Sequence, residues 1–338
     1  MKSPGFGGSA LRGAVLVSFL LSMVGAAPSA AAFDLQGHRG ARGLAPENTL
    51  AGFRAALAIG VTTLELDLGV TRDGVLVIHH DQRLNPALTR DERGEWIAEP
   101  GAALNALTLA ELQRHDVGRL KPGTRYAQQW PQQQPADGER IPTLDALFEM
   151  LRAAGDARVR FNIETKLTPN TPELTPQPEA FAKLVVDALR RHGLVARATV
   201  QSFDWRTVRA AQRQAPELQT ALLTVRQRWL DNLADGRWTD GLRLADHGGS
   251  VPRLVKAAGA AVWSPFHGEL DPAQIAEARA LGLKVVPWTV NDTERIETLL
   301  GWGVDGLISD YPDRVRAAMA ARGMALPPPA PLPPPTGR

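Results

Sequence analysis

The chain has 338 residues, 44% hydrophobic and 22% charged, which excludes a disordered polyampholyte and leaves room for one large domain or two small ones. Lys and Arg number 38 against 36 Asp and Glu, and the excess is carried by Lys2 and Arg12 at the very start, so no basic stripe for nucleic acid is expected. The absence of cysteine excludes disulfides, thiolate metal ligands, a cysteine nucleophile and a cysteine-linked lipid.

From the N-terminus, two basic residues flank a polar start, an uncharged apolar run follows from Ala14 to Ala27, and Ala30, Ala31 and Ala32 offer small residues for cleavage. That is the pattern of a secretory signal peptide over residues 1–32, and it predicts a periplasmic or secreted protein. The run is shorter than the roughly 20 apolar residues a spanning helix needs, so no stable membrane anchor is expected after cleavage. Asp34 to His38 reads as a first strand running into the glycine-rich turn HRGARG. PENT then opens a helix capped by Asn48 or Thr49, with Leu50, Phe53 and Leu57 on one face and Gly60 as its stop.

Val61 to Val70 is a second strand, on which Glu65 and Asp67 share one face and Leu64, Leu66 and Leu68 the other. The turn TRDG is too short for a parallel crossover, so Val75 to Ile78 returns as a hairpin arm. About 82–140 breaks the rhythm and reads as an insertion with one short helix near Thr108 to His115. Helix Thr143–Ala153, strand Arg158–Glu164 and helix Pro178–Arg191 resume it. Strands near 200, 220, 262, 286 and 307 follow, each with its helix, and a Pro-rich stretch at 326–338 is expected to be a disordered tail. Without the hairpin arm there are eight strand–helix units, which predicts an α/β fold, a (β/α)8 TIM barrel spanning 33–325, over an open doubly wound sheet.

A barrel puts chemistry where strands run out into loops. Those ends carry His38 and Arg39, Glu65 and Asp67, Asn162, Glu164 and Lys166, Gln201 and Ser202, Trp288 and Asn291, and Ser309 and Asp310, with His79 and His80 ending the hairpin arm. Three carboxylates without cysteine or a His-x-x-x-His spacing favour one hard divalent cation, Ca²⁺ or Mg²⁺, over zinc. Arg39 and Lys166 can neutralise phosphate oxygens, and histidines on opposite sides of a phosphorus can exchange protons near neutral pH. Each residue also has a plainer use, as a structural histidine, a solvated carboxylate, a lysine paired with Glu164 or a core tryptophan; it is their convergence that argues for a phosphodiester-cleaving site.

The segments HRG, PENT, LELD, HHD, NIETK, QSFD, PWTVND and DGLISDYPD, in this order and spacing from His38 to about Pro312, resemble the glycerophosphodiester phosphodiesterase family. The resemblance implies a barrel with an insertion after the second strand and its hairpin, and hydrolysis of a small glycerophosphodiester such as glycerophosphocholine or glycerophosphoethanolamine to sn-glycerol 3-phosphate and an alcohol. It also implies Glu65, Asp67 and Glu164 as metal ligands, and His38 and His80 as the acid/base pair. Arg39 and Lys166 would contact phosphate, and Glu47 would orient Arg39 or the metal shell, with Trp288 in support. His80 is preferred to His79 because it precedes Asp81. Thr165 departs from the aliphatic usual before the lysine, but faces away from the site. Two rivals share the scaffold: a lyase of the phospholipase D-like or phosphoinositide-cleaving kind, which would stop at a cyclic phosphate, and a non-catalytic secreted binding protein.

Overall fold

The computed structural model describes residues 1–8 and 32–330. The expected leader over 1–32 falls mostly outside these residues; its described parts, 1–8 and 32, are exposed chain without regular structure. Among the described residues no helix is long and apolar enough to cross a membrane. Phe33 opens a separate unit. Its first half runs β1 (Asp34–Gly37), α1 (Leu50–Ile59), β2 (Thr63–Val70), β3 (Leu76–Ile78), α2 (Leu109–Leu112), α3 (Arg125–Gln129) and α4 (Leu144–Ala153). Then come β4 (Arg160–Thr165), α5 (Pro178–Arg191), β5 (Ala198–Ser202), α6 (Trp205–Gln214), β6 (Gln219–Thr224) and the short ribbon of β7 (Arg226–Gln227) and β8 (Leu230–Asp231). The last part is α7 (Val251–Ala257), β9 (Val262–Pro265), α8 (Pro272–Ala280), β10 (Lys284–Val285), α9 (Thr293–Trp302), β11 (Gly306–Ser309) and α10 (Pro312–Ala321).

Eight of these strands run parallel in the order β10, β9, β6, β5, β4, β2, β1, β11, and β3 pairs antiparallel with β2 as a hairpin arm. The sheet curls into a nearly closed (β/α)8 TIM barrel. Between β10 and β11 the seam is bridged by backbone bonds, Asp305 N to Val285 O at 2.9 Å, Ile308 N to Pro287 O at 3.0 Å and Val290 N to Ile308 O at 2.9 Å. The seventh strand, expected near 286, is regular over Lys284–Val285 only, because Pro287 has no N–H to give to a ladder.

Every residue of β2 is buried, as a strand covered on both faces must be. Leu64, Leu66 and Leu68 pack outward into the layer between barrel and helices, with Phe53, Phe161, Phe181 and Trp205. The alternate residues face the barrel axis, where Ala221, Val262, Val286 and Ile308 fill part of the interior. Thr49 caps α1 by accepting a bond from Gly52 N at 3.0 Å, and Gly60, at φ 87°, ends it.

The insertion has its own small core of Val77, Leu84, Leu104, Leu112, Val117 and Ile141. Its Gln-rich stretch is more than surface. Gln133 Nε2 donates to Arg42 O at 2.7 Å and Gln134 N to Leu44 O at 2.9 Å, so the insertion is tied to the first strand–helix loop. The Pro-rich tail needs a correction over its described part: Ala330 is buried and its N–H donates to Leu57 O at 3.2 Å. Proline lacks an N–H but keeps its carbonyl, and Pro327 O and Pro329 O accept from Arg316 and Arg158. Residues 331–338 lie outside the described part.

Candidate active site

The β2–β4 register sets Asp67 beside Glu164 and Glu65 beside Asn162, and both pairs point to the barrel axis. Oxygens of Glu65, Asp67 and Glu164 all come within 4.8 Å of one another, and all three residues are buried. Gathering three acids costs free energy unless cations offset it. Burial, then the Asp67 and Glu164 charges, push Glu65 far above the usual carboxylate range. Burial likewise raises Glu164, to about 7, against the pull of Lys166. Asp67 goes the other way: burial would raise it, but Arg39, His80 and Lys166 outweigh that and hold it well below its ordinary value.

The donor chemistry fits a metal. Asp67 Oδ2 accepts from Asn48 Nδ2 at 2.9 Å and lies 3.2 Å from Arg39 Nε, while Asp67 Oδ1, fully buried, accepts no hydrogen bond among the described residues. A buried oxygen with an open lone pair, beside two more carboxylates, is a hard-cation donor set. The triad can hold one divalent cation.

Arg39 has φ 51°, unusual outside glycine. This turn lets its N–H donate to Glu65 Oε2 at 2.9 Å while its guanidinium donates to Glu47 Oε1 at 2.7 Å. Gly40 makes the turn possible; a Cβ there would sit 2.6 Å from the Gly52 carbonyl carbon. Lys166 donates to Glu164 Oε1 at 2.6 Å and stands 3.6 Å from Asp67 Oδ1.

Two imidazoles flank this group. His38 Nδ1 pairs with Asp310 Oδ1 at 2.6 Å, leaving Nε2 on the carboxylate side, 3.8 Å from Glu65 Oε2. His80 Nδ1 pairs with Asp81 Oδ1 at 2.7 Å. Burial lowers His38, partly countered by Asp310, and burial with Arg39 and Lys166 brings His80 down to about 4. Both are therefore neutral at pH 7, with Nδ1 engaged and Nε2 available. A cavity of about 510 Å³ opens over His38, His80, Arg39, Glu65, Glu164 and Lys166, and one of its walls is aromatic. His79 does not reach it: its ring is buried elsewhere, 3.3 Å from Arg83 O.

The sequence profile of the glycerophosphoryl diester phosphodiesterase family matches residues 38–314. The chain belongs to this family. It is 30% identical to the glycerophosphodiester phosphodiesterase of Caldanaerobacter subterraneus over 82% of this chain and 93% of that one. A solved putative glycerophosphoryl diester phosphodiesterase from Silicibacter pomeroyi superposes with a TM-score of 0.78 at 34% identity, covering 88% and 96% of the two chains. An Oleispira antarctica phosphodiesterase, solved with the product sn-glycerol-3-phosphate, shares the fold with a TM-score of 0.60 at 24% identity, covering 84% and 96%.

This glycerophosphoryl diester phosphodiesterase family member is thus an enzyme whose strand-end residues meet in one cavity. Among the residues singled out by sequence, Trp288 lies on the aromatic wall and donates its indole N–H to Ser264 O at 2.9 Å, while Glu47 sits behind Arg39. Several supporting contacts were not legible. Arg42 forks onto Asp310, with Nε at 2.7 Å and Nη2 at 3.1 Å, and stacks 4.3 Å over Trp130 of the insertion. Tyr126, also of the insertion, donates to Glu47. Asn48, considered above only as a helix cap, holds Asp67 instead; its φ of 54° is a conformation asparagine tolerates well.

Proposed function

We propose that the protein hydrolyses glycerophosphodiesters, deacylated phospholipids in chemical terms, to sn-glycerol 3-phosphate and an alcohol in a reaction dependent on one divalent cation. The carrying observation is that three buried carboxylates, two cationic side chains and two imidazoles with available Nε2 atoms surround one cavity. The product held by the Oleispira antarctica phosphodiesterase is consistent with this reading.

Glu65, Asp67 and Glu164 would hold the cation, which when bound supplies Lewis-acid polarisation of a phosphoryl oxygen. Arg39 and Lys166 attract the phosphodiester charge and orient it. One imidazole takes at Nε2 the proton of the attacking water, or of the substrate's own glycerol hydroxyl with water opening the resulting cyclic phosphate afterwards, and the other gives a proton to the departing alkoxide. The anionic phosphodiester bound between them favours protonation of that second ring, opposing the burial that keeps it neutral in the free enzyme. Asp310 and Asp81 hold the rings in the tautomer that leaves Nε2 toward the cavity. If the sequence pattern at residues 1–32 serves as a leader, this chemistry takes place in the periplasm or outside the cell.

The test is alcohol release from glycerophosphocholine and glycerophosphoethanolamine, with chelator and after adding back Ca²⁺ or Mg²⁺. Activity is expected to vanish in chelator and return with a divalent ion. Full turnover in chelator would remove the cation from the reaction, and accumulation of a cyclic phosphate would make the enzyme a lyase.

A further inference from the structure

The aromatic wall has no part in the proton transfers. Trp288, Phe203 and Trp229 line the cavity, with Phe203 edge-on to Trp288 at 5.1 Å and 88° and Trp229 edge-on to Trp288 at 6.3 Å and 81°. Phe266 braces this set from behind, 5.5 Å from Trp288 and 6.1 Å from Trp229. Trp229 sits between β7 and β8 and is 61% exposed, a large apolar area to leave in water unless something covers it.

We propose that this wall is the subsite for the leaving alcohol, and that it selects a quaternary ammonium, a choline group, over neutral or hydroxyl-rich alcohols. The inference rests on the phosphodiesterase reading above. Three observations support it.

First, the glycerol end of a substrate carries hydroxyls, which need hydrogen-bond partners; the polar residues Asp81, Gln82 and Arg42 also line the cavity, while the Trp288 N–H is already given to Ser264. Second, mutually perpendicular rings present both faces and edges to the same space, and a ring face attracts a cation. A primary ammonium needs acceptors for three N–H groups, whereas a trimethylammonium needs none. Third, the charge lining the cavity does not oppose a cation. In the cavity lining Glu65, Asp81 and Glu164 balance Arg39, Arg42 and Lys166, so the side chains there present no net positive charge to a cationic headgroup.

The deciding experiment compares kcat/KM of the full, metal-loaded chain on glycerophosphocholine, glycerophosphoethanolamine, glycerophosphoglycerol and the neutral isostere in which 3,3-dimethylbutanol replaces choline. Glycerophosphocholine should lead by about tenfold or more, the size of a desolvated cation–aromatic contact. Trp229→Ala should shrink that lead severalfold, and Trp229→Phe should restore most of it. Equal rates for choline and its neutral isostere would show an apolar pocket without charge selection and overturn the proposal. So would an equal loss on all four diesters in Trp229→Ala, which would put the glycerol against the wall. A parallel titration of tryptophan fluorescence with choline chloride separates the two readings. If no diester is cleaved, the phosphodiesterase reading fails, and the titration still decides the wall: saturable quenching that Trp229→Ala weakens supports it, and no quenching overturns it.

Discussion

His38 meets its carboxylate across 272 residues of chain, whereas His80 meets the residue next to it. The first pair is sealed in: Asp310 is fully buried, forked by Arg42 and bonded by Asn291 Nδ2 at 2.6 Å. The second pair stands on a loop, its side chains 32% and 39% exposed, with Asp81 steadied by Asn85 Nδ2 at 2.9 Å. The ring geometry is the same in both, but Asp310 also ties the end of β11 to the loop after β1, so it bears on folding as well as on the proposed proton transfer. Activity should therefore depend on both pairs, and stability mainly on the first.

The largest expected effect is on turnover. His38→Ala and His80→Ala should each lower kcat by about 10² to 10⁴, the range for a lost general acid or base. His79→Ala should cost less than about tenfold, and steady-state kinetics showing the reverse ranking would put the second imidazole on the wrong neighbour.

The two carboxylates should separate next. Asp310→Asn leaves the buried Arg42 guanidinium without its counter-charge and should destabilise by about 3 kcal/mol, whereas Asp81→Asn should change stability by less than about 1 kcal/mol while still lowering kcat. Thermal unfolding with paired kinetics would check this, and equal losses of stability would erase the distinction.

The pH dependence of stability in chelator sharpens the same contrast. His80 titrates at about 4 in the folded chain and at about 6.5 when unfolded, so its contribution is complete above the unfolded value and is lost as pH falls toward the folded one. Arg42 and His38 overcome burial to hold Asp310 below the usual carboxylate range, so its contribution is complete above about 4 and is lost as pH falls further. His80→Gln should flatten the melting-temperature slope between about pH 6.5 and 4, and Asp310→Asn the slope below it. A His80→Gln profile that coincides with wild type would show that its partly buried place beside Arg39 and Lys166 does not hold this ring neutral. The smallest effect is expected from Tyr126→Phe, which removes the hydrogen bond given to Glu47 and the long one, 3.4 Å, accepted from Arg42 Nη1; a rise of a few-fold in KM with kcat nearly unchanged is expected, since about 1 kcal/mol is at stake.

Much of the barrel was legible because its signals are local. Strand alternation placed Glu65 and Asp67 on one face and leucines on the other, and the short turn at TRDG identified β3 as a hairpin arm. The triad was legible for the same reason: in a parallel barrel, strand ends converge wherever the chain goes between them. The second half of the seventh strand was not, because Pro287 breaks the ladder without breaking the apolar run. The described start of the tail was misread because its composition matches disorder, while the arginines that donate to its carbonyls lie in α10 and before β4.

By itself the sequence marked the eight units and put three acids and the histidines at strand ends, since periodicity and adjacency are properties of neighbouring residues, while the choice of His38 and His80 as the acid/base pair came from the family resemblance. Only the tertiary structure decided that Asp310 serves His38, that Arg42 locks that carboxylate, that Asn48 holds Asp67 and that Tyr126 of the insertion reaches Glu47. The physical reason is that a buried charge takes whichever counter-charge or hydrogen-bond partner the closed barrel brings within about 3 Å, and that choice depends on three-dimensional register, not on distance along the chain.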